Sequence, residues 1–276
     1  MTTERARTAH SESADQLARR ALDTLRGAGG ATVAAGHVEA AGTESGGDPA
    51  VALGAVRIVG ADVLAPYVLT GQSPSAGETS AIGLALSALP PAEPPPPAPP
   101  EGPEAAWTMA WVDWGLVTVV ARVDPAGSPV RAAVLPQGPP RCDDDAPRRM
   151  PLTASEPEGA AAGDDIRGGI REGWVPWSIR MGKLASLALP GLDGPVHAAA
   201  RSGVLALARG ATRAALRRDF PTAARITRWL AWLHAEGVPV PFDPAPLTEH
   251  TTLLGGSDRA ALDTAIARRL LGLEPV

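Results

Sequence analysis

Residues 107–135 read WTMAWVDWGLVTVVARVDPAGSPVRAAVL, and the conformation assigned to this stretch decides the fold class. Valine and threonine are frequent in it, and β-branched side chains favour extended backbone. Two groups of turn-forming residues, Asp113-Trp114-Gly115 and Asp124-Pro125-Ala126-Gly127-Ser128, divide it into three apolar runs. The economical expectation is a three-stranded antiparallel meander over 107–112, 116–123 and 130–135.

Helical signals lie on either side. Toward the N-terminus, Ser13 and Gln16 have the spacing of a capping box, and Leu17, Ala21 and Leu25 recur at i+4 before Gly27. This predicts an N-terminal helix preceded by a flexible tail over 1–12. Residues 27–50 are small and Gly-rich and read as loop with at most one short strand; 51–69 suggest strand, and 77–89 a short helix. Toward the C-terminus, 195–218 reads as an Ala-rich helix. Asp219 can cap a second one, with Pro221 tolerated in its first turn and Gly237 closing it. Ser257 can cap a third, closed near Gly272. The expected class is therefore α+β: a small antiparallel sheet with an N-terminal helix and a C-terminal bundle of at least three helices.

Two segments interrupt this pattern. Residues 90–103, PPAEPPPPAPPEGP, cannot form a helix or a central strand, because proline lacks the N–H to donate. Residues 136–169 mix prolines, glycines and the acidic runs Asp143-Asp144-Asp145 and Asp164-Asp165. Both read as exposed loops of one domain spanning 13–276.

Composition narrows the function classes. A single cysteine, Cys142, excludes an internal disulfide and fits a reducing cytoplasm. The longest uninterrupted apolar runs fall short of the ~20 residues that span a bilayer, so no membrane segment is expected. One lysine, one tyrosine, two phenylalanines and no asparagine are the mark of a GC-rich, hence bacterial, gene. The arginine bias has the same origin. No dinucleotide, P-loop, nucleophile-elbow or zinc-ligand spacing is present, so no cofactor or metal is expected.

Three groups of residues remain as site candidates. Trp107, Trp111 and Trp114 could form a ligand or partner surface, or fill the core of a chain poor in other aromatics. Arg209, Arg213 and Arg217 recur at i+4 in a segment, 195–236, whose net charge is +5, against −5 for the whole chain. Such a row can meet an acidic protein or a small anionic ligand, pair with the chain's own acidic runs at 143–145 and 164–165, or stand as a plain solvated face, whereas the overall charge disfavours nucleic acid. His234, Asp243, Glu249 and His250 bring imidazole near carboxylate within a short span, the raw material of acid–base chemistry. The expected function is a non-catalytic binding or assembly component of a bacterial cytoplasmic system. The alternative is a small-molecule enzyme with its site between Trp111–Trp114 and His234–His250. A pocket joining those two segments would favour the enzyme.

Overall fold

A computed structural model of the chain describes residues 2–30, 32–43, 47–90, 94–99, 101–124, 134–142 and 171–273. The elements in order are α1 (Thr2–Leu25), α2 (Ala34–Thr43), α3 (Pro49–Val59), a 3-10 segment (Gly60–Leu64), α4 (Ala65–Thr70), α5 (Ala76–Ala88) and α6 (Glu104–Val123). Two short strands follow, β1 (Arg141–Cys142) and β2 (Arg171–Glu172). Then come α7 (Trp174–Lys183), a 3-10 segment (Ala185–Leu187), α8 (Pro195–Ser202), α9 (Val204–Leu216), α10 (Phe220–Ala235), α11 (Pro244–Leu254) and α12 (Asp258–Leu270).

The expected α+β class is overturned: the described chain is helical, and its only sheet is a two-residue parallel bridge of β1 with β2. The decisive stretch forms the long helix α6 instead of two strands. The expected turn Asp113-Trp114-Gly115 lies in its middle, and all three residues are buried. Val134 and Leu135, the described end of the third expected strand, form no strand; residues 130–133 lie outside the described residues. The physical reason is packing. Ten residues of α6, from Trp107 to Val120, are buried, facing the first 3-10 segment, α3 and the second 3-10 segment. A helix enclosed on most sides loses its 3.6-residue polar period. Each β-branched residue costs helix only a few tenths of a kcal/mol, and burying a valine returns roughly 1.5 kcal/mol or more.

The same correction applies to 51–69, which forms α3, the 3-10 segment and α4 rather than strand. Asp48 caps α3, accepting from Ala50 N at 2.9 Å, with Pro49 in the first turn. Gly60 stands at the bend with φ 66°, and a Cβ there would lie 2.4 Å from Val112 Cγ1 of α6. Glycine alone allows both the backbone conformation and the close approach. Pro49–Thr70 is long and apolar enough to cross a bilayer, but it is largely buried in the protein and carries Asp62 in its interior. It is a core element of this fold.

Within 27–50 the structure has α2, not a loop with a strand. Its N-terminal N–H groups are satisfied from afar: the Glu78 carboxylate of α5 accepts from Ala34 N at 2.9 Å and from Ala35 N at 3.2 Å. Burial raises the Glu78 pKa, and these hydrogen bonds oppose the rise. At the N-terminus, α1 starts at Thr2 and includes the stretch expected to be a tail.

The C-terminal expectations fare better. Asp219 caps α10, accepting from Thr222 N at 3.2 Å. Gly237 follows at φ 74°, with Val238 N donating to Leu233 O at 2.9 Å, the close of a Schellman turn. Ser257 caps α12 through Ala260 N at 3.2 Å. Residues 195–218 divide at Gly203 into α8 and α9, and α11 lies between the second and third expected helices. The described part of 90–103 contains no helix or strand, although Pro99 is buried. Of the segment 136–169, residues 143–169 lie outside the described residues.

Helix α10 is the hub. It packs on α9, α12, α11 and α7, while α1 crosses α3 and α12. A buried charge network pins this arrangement. Arg228 of α10 donates to Asp62 Oδ1 at 2.6 Å, Asp263 Oδ1 at 3.0 Å and Ala188 O at 3.3 Å. Arg259 of α12 donates to Asp62 Oδ2 at 2.7 Å. Burial opposes the Arg228 charge, but the attraction of Asp62 and then Asp263 outweighs it, holding its pKa above the ordinary value.

Candidate functional site

Trp107, Trp111 and Trp114 all belong to the core, so none offers a surface to a ligand. Trp107 Nε1 donates to Gln137 O at 3.2 Å and Gly138 O at 3.1 Å, fastening segment 134–142 to α6. Trp111 and Trp114 meet edge to face, their centroids 5.7 Å apart. Trp229 and Trp232 of α10 form a matching pair, also at 5.7 Å. Between the pairs stands His197 of α8, 6.3 Å from Trp114, 5.6 Å from Trp229 and 5.1 Å from Trp232. Its Nε2–H donates to Leu187 O at 2.9 Å, and its buried Nδ1 has no protein partner. Burial lowers the His197 pKa to about 4, so the ring is neutral near pH 7. Trp-x-x-Trp occurs in the sequence at 111/114, 174/177 and 229/232; two of the three occurrences build one aromatic layer around this histidine.

The four acid–base candidates do not converge on one centre. Asp243 caps α11, accepting from Ala245 N at 2.9 Å. Glu249 is paired with Arg268 of α12. The His250 ring meets Phe220 edge to face at 5.6 Å. His234 is exposed at the end of α10 and lines an open groove of about 390 Å³ with Val238, Val240, Phe242 and Asp243. A second open groove, of about 290 Å³, lies between α9 and α11 and has Phe242, Asp243 and His250 in its wall. Neither groove is lined by Trp111 or Trp114, so neither provides the joining pocket that the enzyme alternative needs. Among the described residues no group of three His, Cys, Asp or Glu side chains could hold a metal ion.

Arg209, Arg213 and Arg217 are exposed, the first two on α9 and the third as its C-terminal cap. Arg218, at φ 59°, follows and is exposed as well. Among the described residues no carboxylate pairs with any of the three. Elsewhere arginines meet acids: Arg19 with Asp258, Arg57 with Asp113, Arg201 with Asp193, and Arg268 with Glu249. Among the described residues Arg5, Arg7 and Arg20 of α1, and Arg26 just after it, are likewise exposed and without a carboxylate partner, so the α9 row is set apart by its regular i+4 spacing. Beside it, Leu216 is 81% exposed, and Leu253 on α11 is 82% exposed.

The sequence reading missed α11, the groove it forms with α9, and the histidine layer. The first had a signal: Asp243-Pro244 is a cap followed by a first-turn proline, the same pair that starts α3 at Asp48-Pro49. The histidine layer had none, because its rings come from three separate helices. No family model, no curated protein and no solved structure matches this chain.

Proposed function

We propose that the chain is a non-catalytic binding or assembly component, as expected of a bacterial cytoplasmic system, and that it engages an acidic partner through α9. The supporting observation is the exposed row Arg209, Arg213 and Arg217, which meets no carboxylate among the described residues. A guanidinium presents a planar fork of donors suited to carboxylates. Three such groups at i+4 spacing extend over roughly 12 Å along a helix. That length suits an acidic polypeptide better than one small anion. A duplex carries acids at greater density, but the chain as a whole is acidic, at −5, and would repel it at long range.

The test is binding of fluorescent poly-glutamate and of a random-sequence DNA duplex at ~50 mM and ~200 mM salt, spanning the range over which phosphate contacts lose affinity steeply. The expected result is salt-sensitive binding of poly-glutamate that falls about tenfold or more, roughly 1.4 kcal/mol, when Arg209, Arg213 and Arg217 are all replaced by Gln. The duplex should not bind. Poly-glutamate binding that is absent, or unchanged in the triple variant, would overturn the reading.

A further inference from the structure

The arginine row borders a concave apolar strip. The groove between α9 and α11 is walled by Thr212, Leu216, Phe242, Pro246, Leu247 and His250. Its apolar character continues along both helices in phase. On α11, Pro246, His250 and Leu253 succeed one another at i+4 and i+7, and Leu254 is exposed next to Leu253. On α9 the apolar residues of that face are Leu205 and Leu216, both exposed, with Arg209 and Thr212 between them at i+4 and i+7 from Leu205. Single exposed leucines are ordinary on a protein surface. Here the two most exposed large hydrophobics of the described chain, Leu216 and Leu253, stand on the two helices that flank one groove.

We infer that this groove seats an amphipathic acidic segment of a protein partner, its apolar side chains in the groove and its carboxylates on the arginine row. This rests on the preceding reading of α9 and adds the form of the partner. Charge complementarity selects the occupant. The acids around the groove are already engaged: Asp219 caps α10, Asp243 caps α11 and Glu249 pairs with Arg268. Among the described residues no carboxylate neutralises the outward-facing arginines. A second copy docking about a two-fold axis would bring both arginine rows into one interface, adding like charge to it. A bilayer surface is flat and would leave the concavity unfilled. A helix laid in a groove, with anchors at i, i+4 and i+7, fits the shape.

The test uses a labelled helical peptide with leucines at i, i+4 and i+7 on one face and glutamates along both edges. A scrambled peptide of the same composition and poly-glutamate are the comparisons. The protein is wild type and the neutral variants Leu216→Gln and Leu253→Gln. Both sites are exposed, so circular dichroism should show an unaltered fold. The patterned peptide should bind at least about tenfold more tightly than the scramble. Both variants should lose that preference while retaining poly-glutamate binding. If the two peptides bind alike and both still depend on the arginines, the groove inference fails and the arginine reading stands. If neither peptide nor poly-glutamate binds, both fail. Preferential binding to phosphatidylserine-containing phosphatidylcholine vesicles, or a dimer in ultracentrifugation that Leu216→Gln abolishes, would overturn the inference in favour of a bilayer or a second copy.

Discussion

Helices α6 and α10 are alike in composition and unlike in how they announce themselves. Each carries Trp-x-x-Trp, each packs its pair edge to face at 5.7 Å, and both pairs bear on the same structure, with His197 against Trp114, Trp229 and Trp232. α10 is bounded by Asp219 and Gly237 and punctuated by Arg225, Thr227 and Arg228. α6 starts after Pro103 with no side-chain cap and runs through valines. Both helices bury ten residues, so the contrast lies at their ends and in residue type. With its local caps α10 is legible despite that burial, whereas α6, which starts without a side-chain cap and runs through valines, resembles a strand.

The two helices also bury charge differently, and this predicts the largest difference between them. On α10, Arg228 is fully enclosed and holds Asp62 and Asp263, both fully buried. On α6, Asp113 pairs with Arg57, whose Nε donates to Asp113 Oδ1 at 2.9 Å but whose side chain still reaches the protein edge. Arg228→Met should cost about 3–5 kcal/mol, because two carboxylates lose their main counter-charge away from water. Asp113→Asn should cost about 1–2 kcal/mol, because Arg57 can turn to solvent. Urea unfolding followed by tryptophan fluorescence would measure both. Equal costs would show that the α6 pair is as enclosed as the α10 network.

This contrast also explains which parts of the fold were legible. The starts of α10 and α12 were readable because their caps, Asp219 and Ser257, are local side chains. α2 was not, because its cap is Glu78, far along the chain. α6 was misread because it has no side-chain cap and runs through valines, and the 49–70 segment because burial removes the polar phase that pattern reading needs. At the candidate site, the exposure of Arg209, Arg213 and Arg217 followed from i+4 spacing. That no carboxylate of the described residues meets them did not, because it depends on where the acids of other helices are spent. The tryptophans were placed on a possible surface because bulky aromatics serve cores and interfaces alike, and only tertiary packing tells these apart.

The histidine between the two helices gives the next effect in size. His197 has its pKa lowered by burial from 6.5 to about 4, with Asp193 and Arg201 pulling in opposite directions. The folded state therefore holds the ring neutral, while the unfolded chain takes up a proton below about pH 6.5. Its contribution is fully present above that pH and is lost as pH falls toward 4, amounting to about 3 kcal/mol. Glu78 acts in the opposite sense, since burial raises its pKa. The informative quantity is therefore the difference between wild type and His197→Phe. Wild type should lose stability relative to His197→Phe as pH falls from 7 to 4. Parallel curves would mean that the layer between α6 and α10 opens to water.

The smallest expected effect separates the tryptophans themselves. Trp111 of α6 and Trp229 of α10 are both fully buried, but only one uses its N–H. Trp229 Nε1 donates to Met181 O at 2.7 Å, whereas Trp111 Nε1 is buried with no protein partner. Trp→Phe at either site removes similar apolar volume, so the cavity terms largely cancel in a comparison. At 229 a good hydrogen bond is lost as well, worth about 1 kcal/mol. Met181 O is not left orphaned, since Leu184 N also donates to it at 3.0 Å, which keeps that cost low. At 111 the change removes an unsatisfied donor and returns part of its desolvation cost. Trp229→Phe should therefore be less stable than Trp111→Phe by about 1–2 kcal/mol, read as a shift of the urea midpoint at unchanged slope. The reverse order would mean that the Trp111 indole finds a partner in solution, and that α6 is wetter than its enclosure by neighbouring helices implies.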